Sequence, residues 1–248
     1  FSGGGEHFNW GAGVFRESDN FGTSLGENRR NLTGRVLWRP TYREEGRRLF
    51  HLGLSATTKQ TAGIADDAGF RTRFEFHFGP RPAGTGVLPN DGEDILGIEI
   101  AGVRGPFWFS GEYIHPEVDA IIEAVPLDLP AAGPTIQTIE FPGYYVQAGY
   151  FLTGEHRTYS TSGGYWNRQK SRSRLGSGEG SGAWELAVRY SETDLTDGPI
   201  VGGELRGLTL GLNWYPNSAT RMMFNYIRST LEDVGDVEAA VLRAQIDF

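Results

Sequence analysis

The 248 residues include no cysteine, two methionines and only two lysines, Lys59 and Lys170. Without thiols there is no disulfide scaffold, no thiolate metal site and no cysteine nucleophile. No stretch approaches the ~18 consecutive apolar residues of a membrane helix, so a helical membrane protein is excluded. Basic residues number 23 against 31 acidic ones, and a net charge of −8 argues against a nucleic-acid partner. The first residue is Phe1, not Met, and no charged, apolar, small-residue pattern shows near the start, so either a leader is processed away or the true beginning lies upstream. Two things are abundant. Glycine reaches 36 residues, twice the usual share of roughly 7%, and arginine supplies every basic residue except the two lysines. Aromatics at 12% are too frequent for a disordered chain.

The dominant pattern is alternation. Ala240, Leu242, Ala244, Ile246 and Phe248 interleave with Val241, Arg243, Gln245 and Asp247. Successive side chains of a strand point to opposite faces, so this stretch has one apolar and one largely polar face. The same rhythm recurs around Phe8–Val14, Leu32–Arg39, Phe50–Leu54, Leu96–Ile100, Phe107–Tyr113, Tyr144–Leu152, Trp184–Tyr190, Leu208–Trp214 and Arg221–Arg228, about ten strands in all. Helical spacing shows only over Val118–Val125, inside a proline-bounded connection. Short breaks such as Val103–Pro106 and Tyr215–Ser218 alternate with longer ones, Glu17–Glu27, Gln60–Asp94, His115–Glu140 and Asp194–Glu204. That is an up-and-down antiparallel meander.

On strand pattern alone a soluble β-sandwich fits equally well. Two details favour an all-β transmembrane barrel. Aromatics (Trp38, Tyr150, Trp184, Tyr190, Trp214, Tyr226) fall near strand ends on the apolar face, where an interfacial girdle lies. The opposite face holds Arg, Glu, Asn, Gln and Gly, which fill a dry core badly, since unpaired buried charge costs several kcal/mol. An apolar outside around a wet lumen satisfies both. The closing Ala244–Phe248 stretch, alternating and ending in an aromatic, is similar to the insertion signal of bacterial outer-membrane barrels.

Four segments in order resemble the phosphate-selective porin O and P family: Gly105-Pro106-Phe107 with Gly111-Glu112-Tyr113, then Gly143–Glu155, Gly182–Ser191 and Leu208–Tyr215. The resemblance implies a sixteen-stranded barrel, assembled as a homotrimer in the bacterial outer membrane amid lipid and lipopolysaccharide. It implies a passive channel for phosphate, polyphosphate or other small anions, with no catalytic residues and no cofactor. Residues 1–248 then form a single barrel domain holding the last ten strands, with about six more and a leader expected upstream; ten strands closing alone is the other possibility.

The resemblance places an arginine ladder at Phe70–His77, where Arg71 and Arg73, two apart, project to one side of an extended segment. Guanidinium is planar, always charged and weakly hydrated, which suits passing phosphate between sites. Phe74 departs from the family's more usual proline. As plain strand, Arg71, Arg73, Glu75 and His77 are simply its wet face. A second basic run, Arg168, Lys170, Arg172 and Arg174, alternates through the long connection Thr153–Gly182, which the strand count makes periplasmic. It is either a stripe at the inner mouth or a solvated loop. Arg35, Arg39, Arg189 and Arg243 lie on or near polar faces, free to extend an electropositive wall or to pair with Glu99, Glu112 or Glu185. The five histidines show no metal-ligand spacing. Asp66-Asp67 and Pro89–Asp94 offer oxygen ligands for calcium or are solvated loops. His51 with Ser55 leaves a barrel hydrolase open as an alternative, beside a channel for other solutes with a structural envelope role.

Overall fold

The computed structural model describes residues 1–18, 25–60, 66–122, 134–172, 175–176, 178 and 180–247. Ten long strands carry the fold: β1 (Phe8–Ser18), β2 (Leu25–Arg43), β3 (Arg48–Gln60), β4 (Leu88–Arg104), β5 (Phe107–Ile122), β6 (Gly143–Phe151), β7 (Ala183–Asp197), β8 (Ile200–Asn217), β9 (Thr220–Leu231) and β10 (Gly235–Ile246). Each pairs antiparallel with the next in sequence, giving one continuous meander. Ser2–Gly4 extends the β1 edge, Asp66–Ala68 adds to β4 and Thr135–Glu140 adds to β5. The sheet is open: Ser2–Gly4 and β10 are its edges among the described residues.

The alternation sorts the two faces. Val188, Leu186 and Leu210 on the outer face are 42%, 50% and 50% exposed. Trp10, Val36, Leu54, Ile98, Val146, Phe224 and Leu242 are exposed beside them. So wide an apolar surface requires a lipid solvent. Two aromatic rows bound it on adjacent strands. Phe107 pairs with Tyr150 in one row, and Tyr113 pairs with Tyr144 in the other. Six residues at ~3.3 Å each separate the rows by about 20 Å along the strand, close to the ~25 Å apolar band of outer-membrane barrels. Trp184 and Trp214 stack at 5.4 Å near the first row, and Tyr190 meets Tyr144 at 6.1 Å in the second. Tyr226 is the exception: it faces Leu210 in mid-strand, not a strand end.

Several connections are shorter than the sequence pattern implies. Asp194–Glu204 is no loop: β7 runs to Asp197 and β8 starts at Ile200, with Gly198 at φ +53 making the turn. The helical spacing beginning at Val118 belongs to β5, which stays extended to Ile122 beside Thr135–Glu140; residues 123–125 lie outside the described set. Asp91–Asp94 lie within β4. The period misleads because these strands overshoot the bilayer, so their outer portions lose the apolar alternation while keeping their ladder partners.

The concave face is not uniformly wet. Phe74 and Ala83 pack on Leu88, Val118, Ala120, Ile139, Phe141, Leu195 and Leu205 at the long-loop end. Leu49, Val103, Trp108, Phe151, Tyr159 and Tyr215 cluster at the short-turn end. In the full-length protein refolded into lipid vesicles, Leu210→Arg should cost about 2–4 kcal/mol in equilibrium unfolding, as for arginine at a bilayer midplane. Thr209→Ser, on the opposite face, should stay within about 0.5 kcal/mol.

Candidate functional site

Two loops enter the concavity from opposite ends. At the short-turn end, residues 153–172 fold back around a hairpin, Tyr159–Ser160 against Tyr165–Trp166. Gly164 at its tip has φ +67 and sits directly on Leu37 of β2, with no room for a side chain. Trp166 stands edge-on to Trp108 of β5 at 5.6 Å, and Arg157 donates to the Tyr215 hydroxyl of β8 at 3.3 Å. Residues of β2 and β8, six strands apart, touch one hairpin, so the sheet curves around it.

Polar pins complete the dock. Arg35 donates through Nε and Nη2 to both Glu99 oxygens at 2.7 Å and caps the Gly163 and Gly164 carbonyls at 3.4 and 3.2 Å. His51 Nδ1 meets the Tyr159 hydroxyl at 2.6 Å, and its Nε2 lies 3.6 Å from Glu99. Its partners are therefore Tyr159 and Glu99, not Ser55 as a hydrolase arrangement needs. Beneath the hairpin the fully buried Glu185 accepts from Trp108 Nε1 at 2.7 Å and from Asn213 and the Tyr215 hydroxyl at 2.8 Å. Arg39 is also fully buried, donating to the Gly5 and Glu6 carbonyls and the Asn9 side chain. It braces the first strands and adds nothing to an electropositive wall.

The basic run keeps its alternation. Gln169 is buried, donating to the His156 and Lys170 carbonyls, while Arg168, Lys170 and Arg172 are exposed. Arg168 lies 3.8 Å from Asp247. The Arg172 backbone N–H donates to Glu155, and Arg174 is outside the described residues, as is the terminal Phe248. Burial lowers the pKa of nearby His156, and the positive charge of Arg47 and Arg172 reinforces the shift.

From the long-loop end comes residues 69–87. Arg71–Thr72 pairs with Ala83–Gly84, and the segment then bends, so the extended ladder stops at Thr72. The bend follows from Phe74, which drops into the apolar cluster instead of continuing the strand. Glu75 then reaches the wall, accepting from Arg189 Nε at 3.1 Å and the Ser191 hydroxyl at 2.5 Å, while Arg189 also lies over Tyr145 at 3.9 Å. Arg189 is thus a loop anchor. Arg71, Arg73, Glu75, Glu112, Tyr145 and Arg189 line a cavity of about 330 Å³. Arg73 donates to the His77 carbonyl. Arg81, on the return limb, stands close enough to Arg71 and Arg73 that their charge lowers its pKa. Among the described residues none of these three arginines has an ion-pair partner. Arg81 was not singled out by spacing; the Pro80-Arg81-Pro82 return of the same loop was its only sequence signal. Arg243 lies exposed on the edge strand β10, remote in register from this cavity, its neighbour being Met223.

A lipid-facing apolar exterior around a polar concavity entered by loops defines the wall of an outer-membrane porin. The chain matches the phosphate-selective porin O and P family over residues 1–248 and belongs to it. It is 34% identical over 202 residues to an uncharacterized protein of Caulobacter vibrioides, covering 80% of this chain and 37% of that protein. It is 26% identical over 192 residues to Porin O of Pseudomonas aeruginosa, covering 74% of this chain and 39% of that one. The chain thus spans less than two-fifths of the length of these curated relatives. It is a bacterial outer-membrane protein of a channel family, phosphate-selective at the family level.

The hairpin dock makes a direct prediction. Gly164→Ala imposes a left-handed backbone cost of about 1–3 kcal/mol as well as a clash with Leu37. It should free the hairpin and raise single-channel conductance of the full-length protein, with the thermal unfolding midpoint of the sheet little changed.

Proposed function

We propose that this chain lines a passive, anion-conducting pore whose cargo is phosphate or polyphosphate. The observation that carries the reading is Arg71 and Arg73 lining the cavity with Arg81 close by on the exposed return limb of the same loop, all three without carboxylate partners among the described residues. Three like charges held together are electrostatically uncomfortable, and a multivalent oxyanion relieves them through charge-assisted hydrogen bonds. The exposed stripe of Arg168, Lys170 and Arg172 sits at the other mouth, where it draws an anion onward; each site is weak enough to release to the next. The mouth with the short turns is read as periplasmic, and the apolar exterior as meeting lipid, lipopolysaccharide and neighbouring copies in a homotrimer. The sheet, open among the described residues, is read as part of one barrel domain. No turnover chemistry enters this reading.

The second reading is a channel for other solutes. It draws on Arg35 and Arg189, whose pairing with Glu99 and Glu75 leaves the wall itself nearly neutral.

Planar-bilayer recordings of the full-length protein separate the two. Phosphate should block chloride current, and Arg71→Ala, Arg73→Ala or Arg81→Ala should each raise the half-blocking concentration about tenfold, the ~1.4 kcal/mol of one charge-assisted bond. Unchanged block in all three, or a reversal potential favouring cations, would overturn the anion reading.

A further inference from the structure

On the outer face, just past the second aromatic row, carboxylates stand side by side in one ladder row. Thr58 of β3 pairs with Asp94 of β4, Asp94 with Glu117 of β5, and Glu117 with Glu140 of the added strand Thr135–Glu140. All three acids share a face, and like charges directly opposite one another destabilise a sheet. No arginine or lysine pairs with them among the described residues; Lys59 turns instead to Glu93, at 2.5 Å. Asp119, two pairs further out, accepts from the Thr138 hydroxyl at 2.9 Å. The group facing two of the acids is an imidazole. His115, two residues before Glu117 and so on the same face, places Nε2 3.3 Å from Glu117 Oε1 and 3.5 Å from Glu140 Oε2.

We propose that His115, Glu117 and Glu140 form a binding site for a divalent transition-metal cation of the zinc class. Donors about 2.0–2.2 Å from a tetrahedral ion stand roughly 3.3–3.5 Å from one another, which is the spacing seen from His115 to each carboxylate. The three donor atoms all lie within 4.8 Å of one another. The other imidazole nitrogen, Nδ1, is held by the Tyr113 hydroxyl at 3.1 Å, with the two rings stacked at 6.0 Å. Such a contact on the second nitrogen orients a histidine ligand and sets its tautomer. Glu140 is fixed as well, its backbone N–H donating to Asp197 at 2.9 Å. His115 is 19% exposed while Glu117 and Glu140 are 47% and 54% exposed, so the imidazole forms the floor and the fourth position opens outward. One nitrogen with two carboxylates suits zinc or its neighbours better than calcium or magnesium, which take oxygen donors. The spacing of histidines along the chain misses this set because Glu140 arrives from another strand, with residues 123–133 lying between in sequence.

Full-length protein in detergent micelles, stripped with chelator, should bind ZnCl2 at one saturable site per chain by calorimetry, with a matching rise in thermal midpoint. CaCl2 and MgCl2 should produce neither effect. His115→Ala and Glu140→Gln should abolish the binding and the thermal rise, and Tyr113→Phe should weaken affinity about 10- to 100-fold. Phosphate block of the pore serves as the folding control and should be unchanged, because all four side chains lie on the outer face. Absence of stoichiometric zinc binding, binding that survives His115→Ala, or equal binding of calcium would overturn the site.

Discussion

Everything in this structure follows from a sheet that must satisfy its backbone completely while one face meets hydrocarbon. In lipid an unpaired N–H or C=O costs several kcal/mol, so the strands pair side by side through the apolar band, with Ser2–Gly4 and β10 the edges among the described residues. The exposed Leu186, Val188 and Leu210 leave no place on that face for charge. The polar residues of each strand are therefore forced into the concavity, where they face one another at short range. A lumen made this way is crowded with opposite charges before any solute arrives.

The crowding explains a division of labour among the arginines. Those on the wall are committed to structure: Arg35 to Glu99 and the hairpin carbonyls, Arg39 to the first strands, Arg189 to Glu75. Their pairing settles the burial cost that an isolated cation would incur. The loops instead carry Arg71, Arg73 and Arg81, which have no carboxylate partner among the described residues, and the exposed stripe from Arg168 to Arg172, where Arg168 reaches Asp247. Loop cations keep more water and tolerate mutual proximity, and aromatic anchors hold them in position. Phe74 fixes one loop in an apolar cluster, and Tyr159 and Trp166 fix the other.

Period-2 alternation made all ten long strands and their two faces legible in the sequence, because lipid imposes the same demand on every strand. The legibility ends where that demand ends. Beyond the aromatic rows the strands carry polar residues, so Asp194–Glu204 and His115–Ile122 read as loops although the ladder continues through them. Which arginines are paired was equally hidden, because Arg189 meets a carboxylate 114 positions earlier in the chain. The five histidines looked unrelated to metal chemistry for the same reason. His115 acquires Glu140 only through the register of an added strand.

The overshooting strands have a consequence for the loops. A loop folded into a wide, wet lumen has little apolar surface to bury unless the wall provides some above the membrane. Val118, Ala120, Leu195 and Leu205 lie on just those protruding parts of β5, β7 and β8, and they form the bed on which Phe74 and Ala83 rest. At roughly 1.5–3 kcal/mol for fully burying one such side chain, this bed outweighs the electrostatic cost of bringing arginines together in a hydrated space. Strands cut to the bilayer's thickness would lose the bed. The Glu75 contact to Arg189 and Ser191, part-exposed and screened by water, would then be left to hold the loop alone. Length beyond the membrane is thus what allows the concavity to hold a loop carrying cations without carboxylate partners among the described residues.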